Sequence, residues 1–96
     1  MHKGCNMKGF LDFQVLSMIN KKNLSGSEIR FEIGKRRGCI PSPGTIYPVL
    51  KDLQCKHLIK EKNNHSKEKK YFITVMGKKE FQKNRRLFIM LFKDLF

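Results

Sequence analysis

Ser42, Thr45, Tyr47 and Lys51 are the residues of this chain whose types and spacing suit chemistry, and the chemistry is recognition rather than bond breaking. Two hydroxyls, a phenol and an ammonium can meet phosphate oxygens and base edges without burying an unpaired charge. They belong to SPGTIYPVLKDLQCKH, Ser42 to His57. If that stretch is helical, Ile46, Val49, Leu50 and Leu53 fall at i, i+3, i+4 and i+7 and form one buried stripe. Thr45, Tyr47, Lys51 and Gln54 then occupy the opposite face. Ser42 is expected to cap this helix with its side-chain oxygen, ahead of Pro43 at the first helical position. Pro48 removes one backbone hydrogen bond and faces the Gly44 carbonyl. Either the first turn is irregular or the regular helix begins near Tyr47.

Within that face, Tyr47 can donate its hydroxyl to a phosphate or pack its ring over a neighbouring hairpin. Lys51 suits a phosphate better than a base, being a flexible point charge. Thr45 can touch a thymine methyl or close the first helical turn. Lys67, Lys69 and Lys70 form a second basic group, suited to phosphates flanking a groove. Arg36 and Arg37 can contact phosphate or complement a helix dipole.

The alternatives in catalysis and metal chemistry find little support. There is no phosphate-binding glycine loop and no His-Glu-x-x-His, and the carboxylates are few and scattered. Cys55 with His57, or His2 with Cys5, gives two ligands where structural zinc takes four. The chain is therefore expected to be no enzyme and to need no metal or cofactor. Cys5, Cys39 and Cys55 are odd in number and lack a C-x-x-C pair, which argues against a disulfide framework and fits a reducing cytoplasm. Near the expected recognition helix a thiol should act as a small apolar side chain.

The elements that position these residues follow from periodicity. The chain's 96 residues suit one domain, in which a partner copy would add usefully to the buried apolar surface. Its 21 basic and 8 acidic residues give a formal charge of +13, which favours a polyanionic partner. Residues 1–8 read as a polar arm. Phe10 to Asn20 reads as a helix with more than one apolar face, Leu11 and Val15 included, and its interruption by Asp12, Gln14 and Ser17 makes it neither signal peptide nor membrane span. Ser25 and Glu28 form a capping box for a second helix, closed by Arg36, Arg37 and Gly38 unless Gly34 ends it early. Leu58 to Lys62 and Lys70 to Thr74 read as the strands of a hairpin joined by Asn63, Asn64, His65 and Ser66 with the lysines around them. Thr74 caps a last helix running to about Phe96. In it LFIMLF, residues 87–92, is apolar all round and too short for a bilayer, which takes about 20 residues. Leu87, Phe88, Leu91, Phe92 and Leu95, with Leu11 and Val15, are the expected dimerisation residues.

Three motifs carry a family resemblance. GTIYPVLKDLQCKHLIKE resembles the stretch of PadR-type transcriptional regulators in which a Gly-Thr-hydrophobic-Tyr-Pro helix runs into a wing strand. KKYFITVMG, Lys69 to Gly77, is similar to that family's second wing strand and the Thr-x-x-Gly opening its last helix. SGSEI, Ser25 to Ile29, resembles its His-Gly-Tyr-Glu-Ile element, with Ser27 where the family usually has Tyr. The motifs span about residues 10–80 in the expected order. The resemblance implies a mainly α winged helix-turn-helix with a two-stranded β wing, its core over 10–74 and a dimerisation helix over 75–96. It also implies a homodimeric repressor bound to double-stranded DNA at a pseudo-palindromic operator, and a small-molecule effector in the cleft between first and last helices. A sequence-independent architectural or RNA-binding protein, or a protein-interaction module, remains the alternative reading of the same charges and apolar terminus.

Overall fold

The computed structural model describes residues 3–63 and 68–95, with side chains from 10 to 62 and from 68 to 95. Its elements are α1 (Lys3–Lys21), β1 (Leu24–Ser25), α2 (Gly26–Arg37), α3 (Pro43–Cys55), β2 (Ile59–Asn63), β3 (Lys69–Ile73) and α4 (Val75–Leu95). The three strands form one antiparallel sheet in the order β1-β3-β2. No helix among the described residues is long and apolar enough to cross a membrane.

The core draws on every element. Leu11, Val15, Leu16, Met18 and Ile19 of α1 bury against Ile29 and Ile33 of α2, the α3 stripe Ile46, Val49, Leu50 and Leu53, and Leu24, Leu58, Ile59, Tyr71 and Phe81. Helix α1 is thus buried on more than one face, as its apolar pattern predicts. It starts at Lys3, so the expected polar arm is helical from there on.

Helix α2 opens on the predicted capping box. The Glu28 amide donates to Ser25 Oγ at 3.2 Å, and the Ser25 amide donates to Glu28 Oε1 at 2.8 Å. That backbone hydrogen bond is the main reason the Glu28 carboxyl is held below the usual carboxylate range, with Lys70 adding to it. The helix runs to Arg37 and is closed by Gly38 in the left-handed region, at φ 85°. Gly34 does not end it early. A Cβ at Gly34 would press on Ile40, so this position trades helix propensity for a close approach of the α2–α3 connection.

Ser42 flanks α3 in the N-cap position, but its side chain makes no cap hydrogen bond. This corrects the expected cap: Ser42 Oγ lies 3.2 Å from Thr45 Oγ1, and the Thr45 and Ile46 amides share the Ser42 carbonyl instead. The helix then passes through Pro48 unbroken. Burying four aliphatic side chains at about 1.5 to 3 kcal/mol each outweighs the roughly 3 kcal/mol that an internal proline costs.

The end of α3 fixes the wing. His57 adopts φ 63°, its amide donates to Gln54 O at 2.9 Å, and the Leu58 amide donates to Leu53 O at 3.0 Å. This Schellman turn commits Leu58 to closing the helix, so β2 begins at Ile59, one residue after the predicted start. Thr74 is similarly committed, which ends β3 at Ile73. Its hydroxyl accepts from the Gly77 amide at 2.9 Å, capping α4 as predicted, and its amide donates to Leu58 O at 3.0 Å. The short strand β1, pairing Leu24 with Tyr71 and Ser25 with Lys70, adds a third strand to the expected two-stranded wing.

Gly77 packs directly on the Leu58 carbonyl, and a Cβ there would collide with that backbone oxygen. Gly77→Ala should therefore destabilise the protein by about 2 kcal/mol or more despite alanine's better helix propensity. Thermal unfolding of the two proteins measures this; an unchanged or higher Tm would show that α4 shifts without loss.

Candidate nucleic-acid interface

Two hydrogen bonds hold the elements around α3 in place. Arg30 Nε donates to the Pro41 carbonyl at 2.8 Å, tying the helix-turn-helix connection down, and Arg37 Nη2 reaches Gln14 Oε1 of α1 at 3.2 Å. Arg37, a candidate by sequence for phosphate or dipole contact, is thus also a strut between two helices. Arg30 is absent from the sequence-derived candidates, because its bond spans the α2–α3 turn and leaves no periodic signal.

With its stripe buried, α3 leaves Thr45, Tyr47 and Lys51 exposed, with Ser42 exposed just ahead of its first turn. Ser42 and Thr45 lie together, but Thr45 borders a hollow with Phe10 and Arg37 while Tyr47 borders one with Ser25 and Lys69, so Thr45 and Tyr47 flank the buried stripe on different sides rather than sharing the one face expected. Tyr47 is 42 % exposed, and its ring lies across Gly26 at the start of α2, where any Cβ would strike the ring. It also lines a cavity of about 260 Å³ with Ser25, Ser27, Glu68, Lys69 and Tyr71. The phenol edge therefore joins α3 to the capping box and the wing strand, and the single side chain both packs and keeps an exposed surface. Burial pushes the Tyr71 phenol up, helped by Glu61, so Tyr71 acts as a neutral packing group beneath it.

The wing lysines differ from expectation in one respect. Lys69 and Lys70 each have a carboxylate partner: Glu61 lies 3.6 Å from Lys69 Nζ and Glu28 lies 3.6 Å from Lys70 Nζ. Such partly exposed pairs hold their members by about 1 kcal/mol at most, so phosphate can displace the carboxylates. Lys67 lies outside the described residues. Glu28 thus serves the α2 cap and steadies the wing at once, a double role not visible in the capping-box spacing alone.

The expected dimerisation residues separate into two groups. Val15 is fully buried and Leu11 nearly so, within the core of the subunit, which corrects their placement on a partner-facing surface. A side chain without exposed area has none to offer a second chain. On α4, Phe88 is half-buried, its ring 4.6 Å from Phe13 and 5.9 Å from Phe92, while Leu87, Leu91, Phe92 and Leu95 are exposed. Cys39 and Cys55 are exposed free thiols, not the small packed side chains expected. No cluster of three or more candidate metal ligands occurs among the described residues.

The arrangement matches known proteins across most of its length. The profile of the PadR-like family of transcriptional regulators matches residues 15–83. Among curated proteins none matches the chain significantly. The fold is similar to that of a PadR-like transcription factor from Bacteroides fragilis, with a TM-score of 0.85 and 23 % identity, over 97 % of this chain and 93 % of that one. A PadR-like transcriptional regulator from Bacillus cereus aligns with a TM-score of 0.84 and 26 % identity, covering 93 % and 90 % of the two chains. A PadR family transcription regulator from Clostridium difficile gives 0.75 and 27 %, covering 90 % and 94 %. With α3 holding one face clear of the core, a paired wing beside it and a family match spanning both, this chain belongs to the PadR-like family of transcriptional regulators.

Proposed function

We propose that the protein is a cytoplasmic, homodimeric, sequence-specific DNA-binding regulator, a repressor rather than an enzyme. The observation that carries this reading is the division of α3 into a buried stripe and polar side chains left exposed on its flanks and ahead of its first turn, Ser42, Thr45, Tyr47 and Lys51. The helix would enter the major groove of double-stranded DNA, with Lys69 and Lys70, from opposite faces of the wing, straddling adjacent backbone. Residues 10–74 would form the DNA-reading core and 75–96 the dimerisation helix. Two copies would set their α3 helices about 34 Å apart, one turn of B-DNA, on a pseudo-palindromic operator. Repression follows from the family resemblance, through occupancy of a promoter.

Support for the dimer comes from the end of α4, where Leu91 is 61 % and Leu95 73 % exposed beside Leu87 and Phe92. An apolar surface of that kind favours a covering partner, and a second copy buries the same residues on both sides. An effector would fit the cleft of about 420 Å³ between α1, α3 and α4, lined by Phe10, Phe13 and Phe88 with Asp12, Lys56 and Glu80. The Lys56 ammonium is held protonated there, chiefly by its hydrogen bond to Asp52.

Tyr47→Ala and Lys51→Ala should weaken binding to a selected operator more than to random DNA, by about 1 to 3 kcal/mol for a residue that touches a base. Equal losses on both duplexes would favour sequence-independent binding. Gly26→Ala should have a similar effect by displacing the Tyr47 ring. The clash involves the far end of a side chain, so Tm should change little. Wild-type operator affinity in that variant would separate ring position from recognition. Leu91→Asp adds a charge at a side chain that the subunit itself leaves mostly in solvent. It should leave the subunit folded but monomeric in sedimentation, with operator affinity reduced because the two half-sites are no longer coupled. A variant that stays dimeric would move the interface elsewhere.

A further inference from the structure

A second basic surface lies on the side of the sheet away from α3. Along β3 the side chains alternate between faces. Lys69 and Tyr71 border the cavity shared with Tyr47, so Lys70 and Phe72 project from the other face, joined by their cross-strand partners Lys62 and Lys60. On that other side Lys62 and Phe72 line a concavity of about 540 Å³ with Lys21 and Lys22 from the end of α1 and Lys78 from α4. Asn20 and Asn23 complete its polar lining, and no carboxylate contributes to it. Unlike Lys69 and Lys70, none of Lys21, Lys22, Lys62 and Lys78 lies within 4 Å of a described carboxylate, and Lys22 alone among them feels the Glu28 charge, at longer range.

Four ammonium groups from three separate elements repel one another around one hollow, and a bound polyanion relieves that repulsion. We propose that Lys21, Lys22, Lys62 and Lys78 form a second DNA-backbone site, which takes phosphates of duplex beyond the segment facing α3. Lysines are point charges without the planar fork that matches a guanine edge, so this site adds affinity and salt dependence but no sequence preference. The side-chain amides of Asn20 and Asn23 can donate to the same phosphates. The inference rests on the DNA-binding reading for the class of partner only, since the hollow shares no residue with the face of α3.

The test uses the whole protein and a random-sequence duplex of about 40 base pairs, with affinity measured across a salt series. Replacing Lys21, Lys22, Lys62 and Lys78 together by Gln should flatten the slope of log affinity against log salt by about 0.9 for each phosphate no longer neutralised, about 2 to 4 in all. A control with the same charge change, Lys35, Arg85, Arg86 and Lys93 to Gln, should flatten it less. Changing the four patch lysines to Arg should keep the wild-type slope, which separates lost charge from lost fold. A patch variant with the wild-type slope, or no flatter than the control, overturns the proposal. Loss of binding to phosphatidylserine vesicles with an unchanged DNA slope would overturn it too, assigning the hollow to a membrane surface. Because the duplex has no chosen sequence, the outcome does not depend on whether α3 reads bases. Failure to discriminate an operator from random DNA would count against the proposed function alone.

Discussion

Helix α3 has one apolar stripe, and the rest of the fold is arranged to bury it without covering the opposite face. Ile46, Val49, Leu50 and Leu53 meet α1 and α2 on one side, and the turn at His57 carries the chain straight from the helix into the wing. The stripe sets the rotation of the helix about its axis and the Arg30 bond to Pro41 steadies the approach to its first turn. Once both are in place, the positions of Thr45, Tyr47 and Lys51 follow. A helix rotated to bury Tyr47 would leave Ile46 or Leu50 in water, at about 1.5 to 3 kcal/mol each. The exposure of these side chains is thus a by-product of core packing.

Charge is distributed unevenly around this frame. Several of the few carboxylates are placed where lysines need steadying: Glu28 beside Lys70, Glu61 beside Lys69 and Asp52 beside Lys56. The excess of basic residues is consequently left on surfaces with few carboxylates to answer it. A protein of +13 gains solubility from such a surface and attracts polyanions over a distance set by ionic strength. Exposed leucines and Phe92 at the end of α4 sit close to Lys93 and Arg86 in sequence, so apolar and basic surfaces adjoin there.

The sequence carries the elements whose signals are local. The i, i+3, i+4, i+7 spacing of α3, the Ser25–Glu28 box and the Thr74 cap each depend on residues within one or two turns, and each stands as read. What escaped depends on interactions between distant segments. The strand β1 is two residues long and exists only through its pairing with β3. The left-handed turn at His57 has no glycine to announce it and is held by the burial of Leu53 and Leu58 on either side. Ser42 carried the right residue type for a cap, but Thr45 draws its hydroxyl away. Leu11 and Val15 show the limit of periodicity, since an apolar face can be assigned to a helix without revealing whether its own chain or another one covers it.

Selection of bound duplexes from random DNA at a stated salt concentration tests sequence reading by α3 most directly. If α3 reads the major groove from a symmetric dimer, the enriched sequences should converge on an inverted repeat whose half-sites lie about one helical turn apart, near 10 base pairs centre to centre. A pool that stays random after selection, while still binding tightly, would contradict sequence reading by α3.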